Sequence, residues 1–162
     1  MERRELFPIL GMAAFQPNAP FLPKFLTPAE VQSVVRLGDV ILPGAEQAGA
    51  VRYIDLVLHY GEPAQQQAFR RGLTSVEADA KKRFGKGFAA LTREQQDQLV
   101  SAMAANEGAR KDELGMFFTL AKRLVIEAYH YSAYHWKQDI GRDLNVALSE
   151  FPACTHKNHN PA

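Results

Sequence analysis

The sequence predicts an all-α fold: a single compact domain of about five helices behind an extended, proline-rich N-terminal arm. Three observations lead there. No segment alternates apolar and polar residues with period two over a useful length. Apolar residues recur at three- and four-residue spacing from residue 31 to about residue 128, the period of amphipathic helices. Two capping boxes, Thr27-Pro28-Ala29-Glu30 and Thr92-Arg93-Glu94-Gln95, mark helix starts, the first with proline at the opening helical position.

The elements follow in order. Pro17, Pro20, Pro23 and Pro28 fix φ and remove backbone donors, so residues 16–28 read as extended chain. Phe21, Leu22, Phe25 and Leu26 interrupt that stretch and need an apolar groove, on this domain or on another chain. The first helix carries Val31, Val34, Val35, Gly38 and Ile41 and ends at Pro43-Gly44. The second carries Val51, Ile54, Val57 and Leu58 and stops at Gly61 and Pro63. A third, over residues 64–84, has Phe69, Leu73, Val76 and Ala80 as its inner face, with a turn at Phe84-Gly85-Lys86-Gly87-Phe88. The fourth opens at Thr92 and buries Leu99, Val100 and Met103. Residues 109–134 are expected to form the longest helix, around Phe117, Phe118, Leu120, Ala121, Leu124, Val125 and Ala128. After Gly141 the chain reads as irregular. The division is residues 1–26, a signal-like extended segment, and residues 27–162, the helical domain.

Composition narrows the function. The chain has 162 residues, a formal net charge of +1 and mixed charges, so no basic stripe points to nucleic acid. No run of about 18 apolar residues reads as a membrane span. Cys154 is the single cysteine, which excludes an intramolecular disulfide. Arg3-Arg4 precede an uncharged stretch at residues 6–15, the layout of a secretory signal, and the paired arginines point to the twin-arginine route. Glu2 and Glu5 dilute the charge, Pro8 interrupts the stretch and no A-x-A site follows. The alternative is an apolar arm that packs on the domain or a partner.

Catalytic constellations are missing from the pattern. There is no G-x-S-x-G elbow, and Gly85-Lys86-Gly87 fits no phosphate-binding loop. The basic run Lys81, Lys82, Arg83 reads as a solvated helix C-terminus. Asp39 and Asp55 fall within apolar stripes and are expected to pair with arginines such as Arg36 or Arg52. His130 and His135, five apart, do not share one helical face and read as part of an aromatic cluster, with a metal site as the alternative. Cys154, His156 and His159 could supply three zinc donors; otherwise they form a docking terminal segment. One helix cannot bury every ring from Phe117 to Trp136 on one face, and aromatics with a polar tip are enriched at interfaces. The expected partner-facing residues are Phe21, Phe25, Tyr131, Tyr134, His135, Trp136, Cys154 and His156.

Four stretches resemble the gluconate 2-dehydrogenase subunit 3 family, the small subunit of flavin-dependent sugar and sugar-acid dehydrogenases. They are Asp39-Val40-Ile41-Leu42-Pro43-Gly44 with Ala48-Gly49-Ala50-Val51-Arg52-Tyr53-Ile54-Asp55; Phe69-Arg70-Arg71-Gly72-Leu73 with Arg83 through Thr92 and Gln95-Gln96-Asp97; Phe117-Phe118 through Glu127-Ala128-Tyr129; and Phe151-Pro152-Ala153-Cys154-Thr155-His156. The resemblance spans roughly residues 30–159. It implies a non-catalytic subunit with no cofactor or metal of its own, assisting assembly and twin-arginine export of a large FAD-binding subunit of the glucose-methanol-choline type. It implies a c-type cytochrome subunit as a further partner, a periplasmic location, and membrane association only through the complex. The alternative function is a metal- or haem-binding helical module built on the C-terminal Cys/His cluster.

Overall fold

The computed structural model describes residues 21–107 and 112–141. Among them, six α-helices and one 3₁₀ turn form the domain: α1 Pro28–Ile41, α2 Ala50–Tyr60, α3 Pro63–Phe84, the 3₁₀ turn Phe88–Ala90, α4 Arg93–Ala105, α5 Glu113–His130 and α6 Ala133–Gln138. The described residues contain no strand, as the sequence predicts. None of the described helices is long and apolar enough to cross a membrane.

Local chemistry sets the ends. Both capping boxes form: Thr27 accepts from Glu30 N–H while Glu30 reaches back, and Thr92 and Gln95 do the same for α4. Each satisfies two of the donors that a helix start leaves unpaired. Gly85 ends α3 at φ 71°, a left-handed cap that suits glycine. The basic run before it is exposed.

The core is built around α5, which touches every other α-helix. Its Phe117, Phe118, Ala121, Leu124, Val125 and Ala128 are buried, as expected, with Leu120 half-buried. The expected inner faces of α3 (Phe69, Leu73, Val76, Ala80) and α4 (Leu99, Val100, Met103) are buried too. Burying each large side chain of this kind contributes about 1.5–3 kcal/mol. Gly72 has a specific reason. A Cβ there would lie 2.3 Å from the Phe117 ring, so α3 and α5 approach closely only because position 72 has no side chain.

Three expectations need correction. The longest helix is α3, not the 109–134 segment, because that segment breaks at Tyr131 and restarts with Ser132 as a new N-cap. Asp39 does pair with an arginine, but the partner is Arg93 of α4 (3.4 Å) and not Arg36, which pairs with Glu46. Arg93 also donates to the Asp39 carbonyl, and Asp39 accepts from Gly44 N–H, so one carboxylate joins the end of α1, the following turn and the start of α4. Asp55, 2% exposed, is held by backbone in place of the expected arginine: its carboxylate accepts the N–H groups of Lys24, Phe25 and Leu26 at 2.8, 2.9 and 2.8 Å. The arm lacks helical or sheet partners, and buried N–H groups need acceptors. Asp55 supplies them and seats Leu26 in the core.

The residues of the central sequence block also have distinct structural tasks. Gln95 closes the α4 capping box and Asp97 meets Arg93 one turn away. Gln96, buried, donates to the Phe88 carbonyl, while Glu77 accepts the Phe88 N–H and the Ser33 hydroxyl. Phe88 is thereby fully buried with both backbone groups paired to side chains.

Candidate partner interface

Two surfaces gather the residues expected to face a partner. The first is the α5–α6 corner. Ser132 accepts from His135 N–H (3.1 Å) and its hydroxyl donates to the Tyr129 carbonyl (2.6 Å), which turns the chain sharply. Tyr134 then packs edge-on against Tyr129, with ring centroids 6.0 Å apart, and both rings lie over Gly44. Gly44 has φ 93° and a Cβ there would be 3.0 Å from Tyr134, so the turn after α1 is shaped for this contact.

The turn also brings His130 and His135 together, with centroids 4.7 Å apart and planes at 33°. Five residues apart on one continuous helix, these rings would point apart; the break at residues 131–132 lets them meet. His135 Nδ1 lies 2.7 Å from Asp139, which also accepts the Tyr129 hydroxyl at 3.0 Å. A carboxylate here only accepts, so Nδ1 carries the hydrogen. The hydrogen bonds from His135 and then Tyr129 hold Asp139 below the ordinary carboxylate range. Desolvation first, then the bond to Asp139, raises Tyr129.

The second surface runs along α2 and the arm. Tyr131 is 72% exposed and leans on Tyr53, whose hydroxyl donates to Glu127 at 3.3 Å. Burial, followed by the Glu127 charge, raises Tyr53 above its ordinary value. Phe21 lies under the Arg52 guanidinium at 5.7 Å. Phe25 lies under Arg70 at 4.3 Å, and Arg70 also donates to the Phe25 carbonyl.

The expected residues therefore divide. Tyr131 is exposed; Phe21, Phe25, Tyr134, His135 and Trp136 are half-buried; Cys154 and His156 lie outside the described residues, as do His159 and the Arg3-Arg4 segment. Tyr134 and His135 join one cluster, and Phe21 and Phe25 belong to the arm that Asp55 of α2 holds. Sequence reasoning missed Leu56 and Tyr60 of α2, exposed at 47% and 72%; Leu22, one of the arm residues expected to need a groove, is 79% exposed. The signal was present: Leu56 and Tyr60, four apart, fall off the Val51, Ile54, Val57, Leu58 stripe and so face outward.

Other sites are weaker. A groove of about 460 Å³ between α1, α3 and the 3₁₀ turn includes Ser33 and Glu77, whose polar groups already bond to one another and to Phe88. Among the described residues, no group of three or more His, Cys, Asp or Glu side chains is placed to hold a metal ion.

Comparison with known proteins gives one finding. No curated protein and no solved structure matches significantly. The family described as gluconate 2-dehydrogenase subunit 3 matches residues 28–145, a span that opens on the first residue of α1 and includes the six described helices. On that match over most of its length, the chain belongs to the gluconate 2-dehydrogenase subunit 3 family.

Proposed function

We propose that this chain is the non-catalytic small subunit of a membrane-associated flavoprotein dehydrogenase, and that it assists assembly and twin-arginine export of the large subunit. Family membership carries the reading, since a third subunit of a dehydrogenase acts within a complex. The large partner holds the FAD and the substrate, and a c-type cytochrome subunit takes the electrons. The complex resides in the periplasm and meets the membrane through its other subunits.

Physical logic supports the division of labour. A flavoprotein folds around its cofactor before export, so its carrier must accept folded cargo. Arg3-Arg4 before an uncharged stretch supply a signal of that kind. One signal serves two chains only if their interface survives transit, which calls for an apolar contact of the obligate class, on the order of 2,000 Å² or more. The exposed rings of Tyr60 on α2 and Tyr131 fit such a contact. In a strain lacking this chain, the large subunit is expected to remain in the cytoplasm or fail to accumulate, and Arg3→Lys/Arg4→Lys should block its export while leaving the complex assembled. Normal periplasmic activity in the deletion strain would sink the proposal.

A further inference from the structure

We infer that the outer face of α2, together with the arm segment beside it and Tyr131, is the seat of the large subunit, which meets it with an apolar centre flanked by carboxylates. This rests on the accessory-subunit reading above and goes further by naming the surface and the chemistry of what covers it.

Concentration is the first argument. The large apolar side chains that are exposed among the described residues are Leu22, Leu56, Tyr60, Met116, Ile126, Tyr131 and Ile140. Four of these seven belong to one surface. Leu56 and Tyr60 are one helical turn apart on α2. Leu22 is on the arm, whose Lys24 ammonium sits 5.5 Å from the centre of the Tyr60 ring. The Tyr131 ring lies tilted against that of Tyr53, centroids 6.3 Å apart, and Tyr53 is one turn before Leu56 on the same helix. A contiguous apolar patch on a soluble domain marks an interaction site, and tyrosine is enriched in such patches.

Charge is the second argument. Lys24 flanks the stripe at Tyr60, and Arg123 lies on α5 one turn before Glu127, the acceptor of the Tyr53 hydroxyl. Among the described residues, neither Lys24 nor Arg123 has a carboxylate within salt-bridge distance. The acids nearby are already committed or lie at the edge: Asp55 accepts the arm's backbone, Glu127 accepts the Tyr53 hydroxyl, and Glu62 is at the start of α3 beyond Tyr60. Apolar side chains flanked by two cations that meet no carboxylate among the described residues are complementary to an apolar surface bearing carboxylates on either side. Such complementarity steers association and rejects wrong partners. A second copy of this chain would bring the same cations face to face, and a lipid surface would favour a more uniformly basic rim.

The arm links this surface to the fold. Asp55, on the inner side of α2, holds residues 24–26, so the same helix fixes the arm within and presents Leu56 and Tyr60 without.

The test uses the full chain co-expressed with the other subunits in its native host, tagged and recovered with the flavin spectrum as readout. The variants are Leu56→Asp/Tyr60→Asp, the milder Leu56→Ala/Tyr60→Ala, the charge reversal Lys24→Glu/Arg123→Glu, and Met116→Asp as a control near the start of α5. All these side chains are exposed, and circular dichroism and thermal melting establish that each variant folds. The expected result is loss of the flavoprotein with the Asp pair, weakening by about thirtyfold or more with the Ala pair, a salt-sensitive weakening with the charge reversal, and no change with Met116→Asp. If the wild-type chain recovers the flavoprotein and the folded α2 variants recover it equally well, the seat lies elsewhere and the accessory-subunit reading stands. If the wild-type chain recovers no flavoprotein even after crosslinking, that reading falls and this inference falls with it. Recovery of the wild-type chain only as a self-associated dimer, dispersed by the Asp pair, would overturn the assigned occupant.

Discussion

Replacing Asp55 with alanine tests how the arm is tied to the domain. Three backbone N–H groups bond to this one carboxylate, that of Leu26 in a buried position and those of Lys24 and Phe25 in partly buried ones. If the arm stays in place, the Leu26 N–H loses its acceptor without gaining water, at about 1–3 kcal/mol. The other two can be partly rehydrated and add less. If the arm detaches, all three are hydrated, but Leu26 leaves the core, which costs about 1.5–3 kcal/mol. Phe25 then also leaves Arg70, a cation–π contact of about 0.5–1 kcal/mol at an exposed site. The two routes cost similar amounts, so the loss should be about 2–4 kcal/mol, set by whichever is cheaper. Asp55→Asn should lose less, about 1–2 kcal/mol, because one amide oxygen can still serve Phe25 and Leu26 while the NH₂ faces the Lys24 N–H. Urea unfolding measures the stability, and trypsin cleavage after Lys24 reports detachment separately. Asp55→Ala unfolding within about 0.5 kcal/mol of wild type, the range of neutral surface changes, with unchanged cleavage at Lys24, would refute the account.

The other predictions concern packing and titration. Gly72→Ala should destabilise by about 1–3 kcal/mol despite alanine's better helix propensity, because its Cβ meets the rigid base of the Phe117 ring; Phe117→Leu in the same chain should recover part of the loss, and strict additivity in the double-mutant cycle would contradict the contact. Asp139 titrates below its ordinary 3.8 in the folded state, so its contribution is present above that value and disappears as the pH falls through the lowered one. Trp136, the single tryptophan, lies in α6 and should report this as an acid fluorescence transition that Asp139→Asn abolishes. Tyr53 is raised above its ordinary 10, so the stability of its neutral form is intact below that pH and is lost as the pH climbs through the raised value. The late part of the tyrosinate absorbance rise should shrink in Tyr53→Phe, leaving the share that Tyr129 contributes, and the Tyr53 share should only shift earlier in Glu127→Gln, since burial is the larger cause and remains.

Helix identity was legible because it depends on neighbours in sequence. The capping boxes at Thr27 and Thr92 and the stripes of α3, α4 and α5 are decided within a turn or two of chain, and each folds as read. What sequence reasoning misplaced depends on distant chain. Asp55 was expected to want a cation, the usual partner of a buried carboxylate. Its actual donors come from backbone about 30 residues away, which no local pattern encodes. Asp39 did take an arginine, but Arg93 enters from α4, 54 residues on, and not from the adjacent Arg36. The Tyr131-Ser132 break was hidden for a different reason. Serine is tolerated within helices, and aromatic residues continue through residues 129–136, so an apolar pattern reads straight across a cap. Once the break is known, the meeting of His130 with His135 follows from it.

The same distinction explains why the candidate interface was only half legible. Aromatic density picked out residues 129–136, yet much of that density is spent internally: Tyr134 covers Gly44, His135 holds Asp139, and Tyr129 bonds the same carboxylate. An aromatic cluster on one segment can satisfy itself by folding back, and here a six-residue helix does so. Leu56 and Tyr60 cannot, because on a regular helix a side chain four residues from its neighbour and off the buried stripe has only the solvent side available. Exposure forced by helical geometry is therefore better evidence for a docking surface in this chain than local richness in rings. By that criterion Tyr131, turned outward by the break and resting on Tyr53, belongs with α2, while Tyr134 and His135 belong to the structure that holds the corner.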